Sequence, residues 1–200
     1  MRIGIDFDNT VVSYNSLFYK VAVEQALVPA DLPKSKLAVR DYLRKIENEP
    51  AWTELQGYVY GTKMGDATAY PSIIEFLKFA RDKDISIAIV SHKTKYPFIG
   101  PKYDLHDAAR CWIANTLMDG DTSLIEPDNI FFELTKEEKI ARIADIGCDY
   151  FIDDLPEILR MPGFPKKLKR ILFDPEEIYN NDRLYTKLGS WWDIRAFFDS

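Results

Sequence analysis

Two acids stand at the end of a strand that is too apolar to lie in solvent. Arg2-Ile3-Gly4-Ile5 runs directly into Asp6-Phe7-Asp8-Asn9-Thr10, with a single phenylalanine between the carboxylates. Folding alone gives no reason to put charge there. Carboxylates this close repel and raise each other's pKa unless a cation compensates them, so the pair points to a metal site.

The rest of the chain supplies the body for such a site. Two hundred residues, 46% hydrophobic and 14% aromatic, suffice for one sizeable core with a small inserted subdomain. A formal net charge of -6 argues against a general nucleic-acid binder, whose affinity rests on lysines and arginines that neutralise phosphates. The one basic run, Lys166-Lys167-Leu168-Lys169-Arg170, precedes Ile171-Leu172-Phe173 and reads as a solvated turn before a buried strand. Cys111 and Cys148 have no metal-ligand spacing and are expected to be reduced thiols. With no basic-then-apolar leader and no apolar run of membrane-spanning length, a soluble, cytoplasmic protein is expected.

Strand-length apolar runs recur at Ile3 to Phe7, Ile85 to Val90, Ile130 to Leu134, Tyr150 to Ile152 and Ile171 to Phe173. Between them, Ile73 to Arg81, Leu105 to Met118 and Lys136 to Ile146 carry one apolar stripe at helical spacing. This alternation predicts an α/β fold around a Rossmann-like parallel sheet, with ligands at the carboxyl ends of the strands. The span from Thr10 to about Asp84 is far longer than one crossover helix needs, so something is inserted. Asn15 to Leu27 and Lys34 to Ile46 read as amphipathic helices, while Trp52 to Met64 is aromatic and glycine-punctuated without a clear period. The expected division is a core of residues 1–12 and 70–200 and a small, mainly helical cap over residues 13–69. Pro71 is expected at the N1 position of a helix from Ser72 to Arg81.

The polar residues follow a positional pattern. The first strand ends in Asp6 and Asp8; the second ends in Ser91, followed by His92 and Lys93; the strand from Tyr150 ends in Asp153 and Asp154. Thr135 and Glu138 have the spacing of a capping box, and the helix they open carries Lys136 and Lys139 in its first turns. Helix starts favour acids, so those lysines call for an explanation. Each signal is weak alone, but the joint order Asp-x-Asp-x-Thr, Ser, Lys, Asp-Asp is hard to produce by accident.

That order resembles the haloacid dehalogenase (HAD) superfamily of phosphohydrolases, over the core and not the cap. Asp6-Phe7-Asp8-Asn9-Thr10 looks like its first motif, Ser91 its second, Lys136 or Lys139 its third, and Phe151-Ile152-Asp153-Asp154 its fourth. Both lysines lie nearer Asp153 than is common in the family; Lys139 is preferred, with Lys136 its rival. The insertion is similar to the caps of the family's C1 group. The resemblance implies a Mg²⁺-dependent phosphatase in which Asp6 attacks phosphorus to form an aspartyl-phosphate and Asp8 shuttles the proton. Members that cleave carbon-halogen or carbon-phosphorus bonds usually lack an aspartate at the Asp8 position. Asp6, the Asp8 backbone carbonyl and Asp153 would hold Mg²⁺, with Asp154 an alternative ligand or an anchor beside it. Ser91 and the chosen lysine would hold phosphoryl oxygens, and Thr10 would order the loop around the nucleophile.

The implied substrate is a small phosphorylated metabolite, a sugar phosphate or nucleotide-like monoester, with no nucleic-acid or membrane partner. The cap would close over the crevice, and Arg40, Trp52, Tyr58, Tyr60 and Lys63 are its candidate contacts, although the aromatics serve equally as filling for the cap itself. His92 and Lys93 carry positive charge that would steer an anion inward, and they either meet the substrate or belong to a loop that packs against the cap, whereas His106 reads as a surface residue. Two other readings fit clustered aspartates on such a sheet. A receiver-type signalling domain is disfavoured because its acidic pair comes early and its phospho-acceptor stands alone on a middle strand, whereas here that strand ends in Ser91. A catalytically idle binding protein is disfavoured by the intact Asp6 and Asp8. The aromatic C-terminus, Trp191-Trp192 with Phe197-Phe198, is expected to close the core.

Overall fold

Strand β1 (Arg2–Ile5) holds Ile3 and Ile5 wholly out of solvent, and it takes a parallel partner on each side. In the computed structural model, which describes residues 1–199, it is the centre of a six-stranded sheet. The other strands are β2 (Ser86–His92), β3 (Ile130–Glu133), β4 (Tyr150–Asp153), β5 (Lys169–Phe173) and β6 (Thr186–Leu188). Their spatial order is β6-β5-β4-β1-β2-β3, and every pairing is parallel. A parallel sheet is covered on both faces, which is why its strands read as continuous apolar runs.

The chain divides into two compact units: the first is Met1–Val12, Ala69–Lys93 and the chain from Ile113 onward; the second is Ser13–Thr68 with Thr94–Trp112. The short strands Val12–Ser13 and Thr68–Ala69 mark the first two crossings between them.

In the first unit, close packing fixes β1 against β4. A Cβ on Gly4 would stand 2.7 Å from the Phe151 ring and 2.9 Å from the Cys148 sulfur, so any side chain there would force the strands apart. Helix α7 (Trp191–Asp199) adds aromatics to this packing: Trp191 is buried against Phe76 and Phe173, and its indole N–H donates to the Thr10 carbonyl at 2.9 Å. Phe198 packs edge-on to Tyr150, whereas Trp192 lies largely in solvent. The expected core closure therefore rests on Trp191 and Phe198. Lys166 and Lys167 are exposed in a turn before β5.

The second unit contains α1 (Asn15–Glu24), α2 (Lys36–Lys45) and α3 (Glu49–Tyr60). Its centre is a ring cluster in which Phe18 lies 5.2 Å from Trp52 and 5.5 Å from Tyr60, with Tyr14 against both Phe18 and Tyr60. These aromatics fill the core of the second unit. Tyr58 meets Tyr103, Lys63 pairs with Asp66, and Arg40 pairs with its neighbour Asp41.

Three elements differ from the sequence expectation. Helix α4 (Ile73–Asp82) begins after a left-handed Ser72 at φ 65°, so Pro71 sits ahead of the cap and not at N1. Helix α3 was obscured by Gly57, which is there for packing: a Cβ would approach Pro97 to 2.6 Å. The same contact, with Gly61 against Tyr103 and the Trp112 indole N–H bonded to the Ala67 carbonyl, is why residues 94–112 group with the inserted unit and not with the core. Strand β6 was not anticipated. Among the described residues, no helix is long and apolar enough to cross a membrane.

Two measurements check this packing. Trp191→Ala should lower stability to urea by about 3–5 kcal/mol, the range for deleting a core aromatic, while Trp192→Ala should change it by less than about 0.5 kcal/mol. Both cysteines are free thiols; Cys111 is exposed, and burial pushes the Cys148 thiol up to about 11. Iodoacetamide at pH 8 should therefore add one group to the native protein and two after denaturation, read by mass spectrometry.

Candidate active site

The carboxyl ends of β1, β2 and β4 bring together four acids and Lys93, because these strands are adjacent in the sheet, and the first turns of a helix add Lys139. Asp6 follows β1 directly and is anchored by its own N–H, which donates to the Ile152 carbonyl at 2.9 Å. The chain then turns sharply. The N–H groups of Val11 and Val12 converge on the Phe7 carbonyl, and Asn9 takes a left-handed φ of 58°, a conformation its short amide side chain tolerates.

Asp6 is nearly buried and accepts two hydrogen bonds at Oδ1, from Ser91 Oγ at 2.8 Å and from Lys139 Nζ at 2.6 Å. Lys139 also donates to Asp153 Oδ2 at 2.6 Å, and Asp153 Oδ1 accepts from the Leu155 N–H at 2.9 Å. Helix α6 (Lys136–Asp145) aims Lys139 through a complete capping box: Thr135 Oγ1 accepts from the Glu138 N–H, and the Glu138 carboxylate accepts from the Thr135 N–H. Lys136, three residues earlier, instead pairs with Glu157 at the exposed surface, 3.1 Å away. Of the two competing lysines, Lys139 is the one beside the nucleophile candidate. Lys136, counted among the substrate contacts from sequence, is not brought to the cluster.

Burial alone would pull the Lys139 ammonium down, but Asp153 and Asp6 outweigh it and hold the ammonium well above the ordinary lysine range. Burial pushes the Asp153 carboxyl up to about 6, with Asp6 adding to the rise and Lys139 opposing it.

Asp8 stands apart from this cluster. Its carboxylate is a fifth exposed and pairs with the buried Lys93, whose Nζ lies 2.9 Å from each oxygen. His92, between Ser91 and Lys93, uses its ring Nε2 on the Leu134 carbonyl at 3.1 Å, so the structure does not bring it into the cluster. Thr10 is fully buried; its Oγ1 has no hydrogen-bond partner, and its carbonyl takes the Trp191 indole. His106 opens α5 (Leu105–Thr116), where its N–H donates to Asp104.

One ligand oxygen each from Asp6, Asp153 and Asp154 lie within 4.8 Å of one another. This is a set of hard, anionic oxygen donors, and it fits Mg²⁺. The Asp8 carboxylate is not among them, which leaves its side chain for another task. The pairing of Lys93 with Asp8 is not legible in the sequence.

No family model matches the chain. Solved structures do: a HAD-superfamily hydrolase from Ehrlichia chaffeensis has a TM-score of 0.55 at 16% identity, covering 99% of this chain and 95% of that one. The chain has the haloacid dehalogenase fold. A HAD family hydrolase from Deinococcus radiodurans, solved with phosphate and sodium, has a TM-score of 0.57 at 16% identity over 98% and 94% of the two chains. A dehalogenase is similar at a TM-score of 0.59 and 12% identity over 98% and 96%. By sequence, a putative nucleotidase of Oceanobacillus iheyensis is 19% identical over 97% of both chains.

The donor set carries a direct test. Mg²⁺ at a hundred times its dissociation constant should stabilise the fold by about 2.7 kcal/mol and raise Tm by about 5–10 °C. Asp153→Asn should remove that response, and a Tm indifferent to Mg²⁺ in the unaltered protein would place the metal elsewhere.

Proposed function

We propose that the protein is a Mg²⁺-dependent phosphatase that hydrolyses a small phosphate monoester through an aspartyl-phosphate on Asp6. The observation that carries this reading is Asp8: a second carboxylate two residues from the nucleophile, partly open to solvent and outside the donor set for the metal. A departing halide leaves as a stable anion and needs no acid, whereas the alkoxide of a phosphate ester must be protonated as it leaves. A site built for dehalogenation has no use for Asp8. Hydrolysing a monoester uses it twice, first as acid and then as base.

The other residues take roles that follow from their contacts. Ser91 and Lys139 both reach Asp6 Oδ1, so they orient the nucleophile and stand where they can share phosphoryl oxygens as charge redistributes. Asp6, Asp153 and Asp154 would hold Mg²⁺, which when bound neutralises repulsion between these acids and a dianionic phosphate. Asp153 keeps Lys139 in place from the other side. Similarity to a putative nucleotidase favours a nucleoside monophosphate within the class of small phosphorylated metabolites, and the protein is read as an enzyme of the cytoplasm.

A panel of nucleotides and sugar phosphates, assayed for phosphate release with Mg²⁺ and again after chelation, tests the reading. Asp6→Asn should abolish turnover, and Asp8→Asn should lower kcat by about 10²–10⁴ on alkyl esters, the usual worth of a positioned acid and base. Activity that survives chelation or the Asp6 substitution would remove the basis of this proposal. Stable self-phosphorylation from acetyl phosphate without turnover would favour signalling instead.

A further inference from the structure

Two buried lysines stand among the four acids, and their contacts divide three of the acids between them. Lys139 takes Asp6 and Asp153; Lys93 takes Asp8. Asp6 and Asp8 follow β1, Ser91 and Lys93 stand at and just past the end of β2, and β1 and β2 are paired neighbours. Ser91 meets Asp6 and Lys93 meets Asp8 across the same sequence offset of 85 residues, one residue out of the register that pairs Ile5 with Ile89, so both contacts are made where the chain has left β1.

Lys93 is held along its whole length. Its N–H donates to the Glu133 carbonyl at 2.9 Å, continuing the pairing of β2 with β3; its ammonium lies 5.6 Å from the centre of the Phe7 ring; and its side chain is 3% exposed. The ammonium sits 2.9 Å from both Asp8 oxygens, which holds the two oxygens at equal distance from one charge. Asp8 itself remains 21% exposed, so one side of the pair is walled by protein and the other is open. A lysine that swept a ligand in from solvent would need slack in its stem and exposure at its tip, and Lys93 has neither.

We propose that Lys93 is a positioning residue for Asp8, clamping the carboxylate in the orientation needed for proton transfer and away from the metal-binding acids. The proposal rests on the phosphatase reading and replaces the expectation that Lys93 contacts substrate. In the first step an Asp6 oxygen bonds to phosphorus, the bond from phosphorus to the leaving oxygen breaks, and that oxygen takes the proton from Asp8. In the second, water attacks phosphorus, its proton passes to Asp8, and the bond between phosphorus and Asp6 breaks to release inorganic phosphate. Both transfers involve the same carboxylate, so misplacing it by a fraction of an ångström penalises each.

The test compares an alkyl phosphate with p-nitrophenyl phosphate, whose leaving group departs without a proton. Lys93→Met should lower kcat/KM on the alkyl ester by about 100-fold and on the nitrophenyl ester by no more than about 5-fold, as expected when proton delivery to the leaving group is lost. Stopped-flow traces with the nitrophenyl ester should show a burst of one nitrophenolate per active site, because the second step then lacks its base. Inhibition by inorganic phosphate should be unchanged. Equal losses on both esters with weakened phosphate inhibition would overturn the proposal and make Lys93 a phosphate ligand. Lys93→Gln, a milder change to the buried site, is read the same way and decides the matter if the methionine variant does not fold. An unaltered protein inert to both esters would remove the phosphatase reading and the proposal with it, whereas an active one lacking this pattern removes the proposal alone.

Discussion

The contact on which the site depends is the Lys139 ammonium lodged between Asp6 and Asp153, 2.6 Å from each. All three groups are almost fully buried, and removing a single partner from a buried ionic cluster costs about 3–5 kcal/mol because the remaining charge is left without compensation. The cluster also ties together three separate pieces of chain. Asp6 belongs to the end of β1, Asp153 to the end of β4, and Lys139 to the first turns of α6, so the ion cluster doubles as a lock on the sheet's carboxyl edge. Its geometry has to be set by something stiffer than the ions themselves.

That stiffness comes from apolar packing behind the site. Gly4 lets the Phe151 ring lie directly against β1, which sets the spacing of the two strands whose ends carry Asp6 and Asp153. Trp191 bonds to the carbonyl of Thr10 from below the motif loop, so an aromatic near the end of the chain restrains the residues just after Asp8. The turn at Asn9 then has little freedom: its left-handed backbone is enclosed by a loop held at the Phe7 carbonyl and at Thr10.

Much of this was legible in the sequence because the informative signals are local. A buried strand ending in acids, a serine after a strand and a capping box ahead of a lysine each occupy a few consecutive residues, and together they gave the α/β core and the residues that converge on it. Signals that depend on partners far along the chain were not legible. Nothing near Lys93 announces that it meets Asp8, 85 residues earlier, and a basic residue at a crevice reads first as bait for an anion. Gly57 looked like a break in a helical pattern, although the helix continues through it and the missing Cβ makes room for Pro97. Strand β6 is only three residues long and half-buried, too short for any period to show. Choosing between Lys136 and Lys139 needed the helix start: the box at Thr135 fixes which turn faces the strands, and three residues of rotation put one ammonium in the core and the other beside Glu157.

Charge balance links these observations to the chemistry. Four carboxylates, Asp6, Asp8, Asp153 and Asp154, face two ammoniums, Lys93 and Lys139, leaving an excess of two negative charges. On the proposed function, one divalent cation would cancel that excess and an arriving phosphate dianion would restore it, so cation and substrate would be accommodated together. The acids whose oxygens lie within 4.8 Å of one another are Asp6, Asp153 and Asp154, and Asp8, paired with Lys93, is not among them. On the proposed function, pairing Asp8 with its own ammonium would separate two tasks that neighbouring carboxylates otherwise share: one group of acids for the cation, and the remaining one for the proton.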